Sequence, residues 1–444
     1  MSKDIAAGRE HMARTAELQQ EVIATPVPPP PLSLVRPDPE ELLPEPSMQD
    51  DSLWQEFENT APDAMLDLFK QHLSDEEHFD SDLAFEMICV IRDHNGREVF
   101  AEALSALRQQ RPDIYMSDRQ HYLDWEIGDT LVRNDLEALW PLCDELIETV
   151  GHDLDSFEAT LKKLAYYGHT VRVAAMMTQA IPELGAHQEL FDWVADEFSA
   201  RTMDMTLYMH YEQKPELRAD DATLQADLMR VGDVDQERLP AIVDLLTGRS
   251  QRQWTLADFA FRPPSKKRRT DEDPAVQNFS EFLLVFMGTL WRHKGIALAK
   301  VALARSALYE YILGRHAGDI QPADEDDDIF GSSPFARPKK AKHKAHYQPV
   351  HILCPDYATL DRQLGRMISI LSADFFTAAA FLELIPAWLD FLVDQGLLSA
   401  EQSELAFEDV YKLVETIQPL WEKGTGDANI AVHMAQAWEI QAGI

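Results

Sequence analysis

An all-α fold is what this chain predicts, built from short helices folded back on one another in pairs. Three observations carry it. From residue 82 to about residue 248, apolar residues recur three and four positions apart, the spacing of one helix face. Hinge-like positions return at Asn95-Gly96, Asn134, Gly168, Thr202 and Gly232, at spacings of 38, 34, 34 and 30 residues. Residues 153–185 read as one complete pair. A pair of this kind cannot cover its own apolar face, so a recurring period of about 34 residues predicts stacked helical hairpins, an α-solenoid-like array.

Within residues 153–185, Asp155 and Glu158 stand at capping-box spacing and predict a helix start. Phe157, Leu161, Leu164 and Ala165 form its inward face. Tyr166-Tyr167-Gly168 ends it, because glycine takes the left-handed conformation without a Cβ clash. Val173, Met176, Met177 and Ala180 face inward from the second helix, which Pro182 and Gly185 are expected to close.

The order of segments follows from composition. Nine of the 25 prolines lie between residues 26 and 46, so residues 1–47 predict a disordered, proline-rich segment favouring polyproline II. Residues 48–262 predict the helical-repeat domain, opening with two short helices broken at Ala61-Pro62. Residues 263–274 form a basic linker holding Lys266, Lys267, Arg268 and Arg269 between prolines. Residues 275–317 predict an apolar hairpin: 282–291 carry no charge, and Gly295 stands at the hinge. Residues 318–350 pair an acidic run, 324–328, with a basic one that includes Lys339 and Lys340, and predict a disordered linker. Residues 351–444 predict a C-terminal helical domain, with Pro386 kinking or breaking one helix, Gly396 stopping it, and Ser399 with Gln402 capping the next.

The repeat unit resembles a tetratricopeptide-like repeat over residues 80–250. Gly96 with Ala101, and Gly168 with Ala180, match small-residue positions of that family. Val173 and Leu139 stand where an alanine is expected, and the tryptophan-leucine-glycine signature is missing. Other two-helix solenoids fit almost as well. The resemblance implies a superhelical scaffold that binds other proteins, and it transfers no site residue.

Charge narrows the function. Asp and Glu total 77 against 40 Lys and Arg, a net charge of −37, which repels phosphate backbones and favours basic partners. The three cysteines, Cys89, Cys143 and Cys354, make no metal or redox spacing and fit a reducing interior. No apolar run reaches the length of a membrane span and the N-terminus has no signal-peptide core, so the expected place is the cytoplasm, or the nucleus in a eukaryotic source.

Three functions are compatible with this pattern. The leading one is a non-catalytic scaffold or adaptor for a protein or peptide partner, with no cofactor. The second is an all-helical metal-dependent enzyme. His72, Glu76, Glu77 and His78 are metal-type side chains, although one helix would not aim both histidines at one point. The third is a regulator that touches nucleic acid through Lys266, Lys267, Arg268, Arg269, Lys339 and Lys340. His121 with Asp124, and His152 with Asp153 and Asp155, suit surface or helix-end roles, since no nucleophile stands beside them. Trp125, Trp140 and Trp193 read as packing or as contact points for a partner.

Overall fold

The computed structural model describes residues 51–74, 79–151, 153–186, 192–250, 252–262, 273–320, 348–368, 374–424 and 427–442. The proline-rich N-terminus, both basic runs, and Glu76, Glu77, His78 and His152 lie outside these residues. The described chain is all-helical. In order, the helices are α1 (Asp51–Glu58), α2 (Pro62–His72), α3 (Ser81–His94), α4 (Arg97–Gln110), α5 (Pro112–Ser117), α6 (Arg119–Val132), α7 (Leu136–Ile147), α8 (Leu154–Tyr166) and α9 (Thr170–Ala186). They continue as α10 (Asp192–Gln213), α11 (Ala222–Val231), α12 (Leu239–Thr247), α13 (Pro274–Lys294), α14 (Leu298–Ala317), α15 (Tyr357–Met367), α16 (Phe375–Asp394), α17 (Ala400–Gly424) and α18 (Ala428–Ala442).

Several ends form as the residues dictate. Gly168, Gly295 and Gly396 have φ of +82°, +64° and +70°, the left-handed region that ends α8, α13 and α16. Asn134 does the same for α6 at φ 55°. At the start of α17 the box is complete: the Gln402 N–H donates to Ser399 Oγ at 3.2 Å and the Ser399 N–H to Gln402 Oε1 at 2.9 Å.

Three expectations need correction. The cap of α8 is Asp153, whose carboxylate accepts the Ser156 N–H at 3.0 Å; Asp155 lies inside the first turn and the Asp155–Glu158 box does not form. Pro182 and Gly185 do not close α9, which runs through both to Ala186. Thr202 is no hinge. It lies buried within the 22-residue α10, where its hydroxyl satisfies itself on the Phe198 carbonyl at 2.8 Å and so needs no break. α16 is long and apolar enough to cross a membrane, and it continues through Pro386. In the structure 83% of that window is buried inside the protein.

Among the described residues three apolar cores run along the chain. The first gathers α1–α6 around Phe57, Phe69, Met87 and Tyr122. The second joins α6–α10 around Leu139, Phe157, Leu164 and Met176. The third and largest takes in α10–α18 and includes Trp388, Phe282 and Trp438. The second and third meet at α8. This helix packs on α6 and α9, and also on α14 and α16 from far along the chain.

Candidate functional site

The last turn of α8 places the site. Gly168 ends the helix immediately after two tyrosines, and neighbouring positions on a helix diverge by about 100°. Tyr166 therefore turns towards α16 and Tyr167 towards the start of α18. The Tyr166 hydroxyl donates to one oxygen of Glu383, and the Tyr167 hydroxyl donates to Asp427 Oδ2 at 2.6 Å. One turn earlier, Lys162 donates to Asp374 Oδ2, at the N-cap of α16, at 2.7 Å.

Glu383 is the single charged residue in 375–389, and its side chain is 5% exposed. A buried carboxylate needs both a counter-charge and hydrogen bonds. Lys300, on the first turn of α14, supplies the charge by donating to the second Glu383 oxygen. Its ammonium also lies 4.1 Å above the Tyr166 ring. Both Glu383 oxygens are thus held by donors from two other helices. Burial first, and then Glu383, pushes the Tyr166 phenol well above its ordinary range, so it stays protonated and remains a donor. Burial and Asp427 do the same to Tyr167. His433 of α18 closes the cluster, its Nδ1 lying 3.5 Å from the Tyr166 hydroxyl.

The first turn of α14 is itself fixed from the hairpin. The Leu298 N–H donates to Glu212 of α10, and the Ala299 N–H donates to the Thr170 hydroxyl of α9 at 3.2 Å. These bonds satisfy amides that a helix start leaves unpaired. They also set the position from which Lys300 reaches Glu383.

The residues singled out from sequence go elsewhere. His72 is buried beside the first core, and its Nε2 has no hydrogen-bond partner among the described residues. Among the described residues no three His, Cys, Asp or Glu side chains gather as a metal-holding group. Lys266, Lys267, Arg268 and Arg269 lie outside the described residues; on either side of them the Arg262 N–H donates to Asp273 Oδ2 at 2.7 Å. His121 is exposed with its ring tilted against Phe85, while Asp124 pairs with Lys163; the two form no acid–base couple. Trp125 and Trp140 are half-buried, under Arg92 and Arg172 respectively. Cys143 is buried, which pushes its thiol up to about 11, and Cys89 is half-buried with its thiol also raised by burial.

Sequence reasoning missed Glu383 and Lys300. The signal was there: each is a lone charge in an apolar helical stretch, and such a charge calls for a partner. The chain matches no protein-family model, and no curated protein and no solved structure is significantly similar to it.

Proposed function

We propose that the chain is a non-catalytic helical scaffold or adaptor that binds a protein or peptide partner. The observation that carries this reading is the saturation of the α8–α16 junction. Both oxygens of Glu383 are taken by Tyr166 and Lys300, and Tyr167 and Lys162 are spent on Asp427 and Asp374. Groups so engaged with one another hold helices in place rather than act on a substrate. The junction ties the N-terminal helices α1–α9 to the C-terminal body and fixes the surface they present.

In this reading the pairs α3–α4, α6–α7 and α8–α9 form a short array of tetratricopeptide-like hairpins, closed at one end by α14 and α16. Met116 on α5 and Val171 on α9 are exposed apolar side chains on its surface and serve as contact points. The net charge of −37 favours a basic partner.

The test is affinity purification of the tagged chain from its native lysate at low and moderate salt, beside a Met116→Asp/Val171→Asp variant. One protein retained at both salts by the parent, and lost from the variant, supports the reading. Retention of nothing, or of the same proteins by both chains, overturns it.

A further inference from the structure

The segment 348–356, which leads into α15, is held at a point outside the junction described above. His351 Nε2 lies 2.9 Å from the Leu397 carbonyl in the turn between α16 and α17. A carbonyl only accepts, so Nε2 carries the proton and the neutral ring leaves Nδ1 as a bare lone pair. Nδ1 is buried and has no hydrogen-bond partner among the described residues. The charged group that faces the ring is Arg315 of α14. That guanidinium is already committed to the carbonyls of Ile352 and Cys354, each at 2.8 Å, and to Asp356 at 3.3 Å. From the α16–α17 turn the ring meets the Leu397 carbonyl.

We propose that His351 is a proton-operated catch for segment 348–356: docked while the imidazole is neutral, released when it takes a second proton. That proton would place in the interior an N–H with no acceptor among the described residues, and a second cation beside Arg315. Both costs fall on the docked state alone. Burial, opposed by the Leu397 carbonyl, already holds the ring below the ordinary histidine range. The sign follows. A group depressed in the docked state stabilises docking above its free value of about 6.5, and that support is lost as pH falls below it.

Release has a built-in reporter. Cys354 belongs to the segment and is buried while it is docked, its N–H donating to the His351 carbonyl at 3.0 Å. Trp388 is tied to the same segment by its indole N–H on the Leu353 carbonyl at 2.9 Å. Opening the catch uncovers the Cys354 thiol while leaving Cys143 in its own core. The inference is independent of the scaffold reading, since a chain that bound no partner would keep the catch.

The experiment labels the full-length chain with 4,4′-dipyridyl disulfide, which reacts at acidic pH, at about pH 7.5 and about pH 5.5. Mass spectrometry locates the label. The Cys354-to-Cys143 labelling ratio should rise at the lower pH in the parent chain, by at most about tenfold for one histidine with a free value of about 6.5. It should stay flat in His351→Gln, whose amide still donates to Leu397 and cannot take a charge. Hydrogen exchange of the peptide spanning 351–357 in the parent chain, corrected for intrinsic rates, gives a reading that needs no variant and should show the same opening. A ratio and an exchange rate that do not respond to pH overturn the proposal. So does a rise that persists in a folded His351→Gln chain.

Discussion

Lys300 and Glu383, 83 positions apart in sequence, form an ion pair in the interior with side chains 15% and 5% exposed. Such a pair is costly to bury, and breaking it is costlier than never having it, because the survivor stays buried without a counter-charge. Replacing Glu383 by Ala should therefore destabilise the chain by about 3–5 kcal/mol. Replacing both residues by Met should recover part of that loss, because no lone charge then stays buried, while the Tyr166 hydroxyl loses its acceptor. Urea denaturation of the two variants checks the difference.

Gly288 on α13 admits no side chain. A Cβ there would stand 1.7 Å from the Leu246 carbonyl oxygen of α12, a backbone atom that cannot swing away. The same carbonyl accepts from Arg292 at 2.7 Å, so helix separation would also break that bond. Gly288→Ala should cost roughly 3 kcal/mol or more. Gly185→Ala, where nothing lies within 4 Å of the added atom, is the matched control and should be neutral or mildly stabilising. Thermal melts of the pair make the comparison.

The structure also predicts a pH dependence at His169. Burial lowers its pKa, and its ring stands edge-on to Trp140 at 5.2 Å. A histidine depressed in the folded state supports stability above its free value of about 6.5, and that support fades as pH falls below it. The melting temperature of the parent chain should therefore drop between about pH 7.5 and about pH 5.5. In His169→Gln the drop should be smaller. An equal drop in both chains would remove His169 as the cause.

The Tyr166 and Tyr167 hydroxyls make a finer comparison. Tyr166→Phe removes one of two donors from a buried carboxylate and should cost about 1–3 kcal/mol. Tyr167→Phe removes the bond to Asp427 at 2.6 Å, whose ring is half-buried rather than buried, and should cost less. Chemical denaturation resolves the order.

Much of this fold was legible locally. Gly168, Gly295 and Gly396 could be read as helix ends because only a left-handed residue fits there, and Ser399 with Gln402 because the box is a four-residue matter. Thr202 misled because a threonine inside a helix can satisfy its hydroxyl on the preceding turn. Residues 375–388 read as strongly apolar, but Pro386 suggested a kink or a break, whereas α16 continues through it; the charge of Glu383 inside the run is neutralised by a lysine no local rule could nominate. The site was illegible for the same reason. A lone Glu383 announces that a partner exists, but Lys300 and Tyr166 reach it only after three distant segments pack.

In the proposed reading the junction serves architecture and not chemistry. The direct measurement is the amount of partner retained by a folded Lys300→Met/Glu383→Met chain, beside the parent chain, with circular dichroism and melting temperature matched. Equal retention is the result predicted, because the apolar pair fills the same place and leaves the presented surface intact. A double variant that folds as the parent does and yet loses its partner would contradict it, since the buried charges would then be needed for more than holding α8, α14 and α16 together.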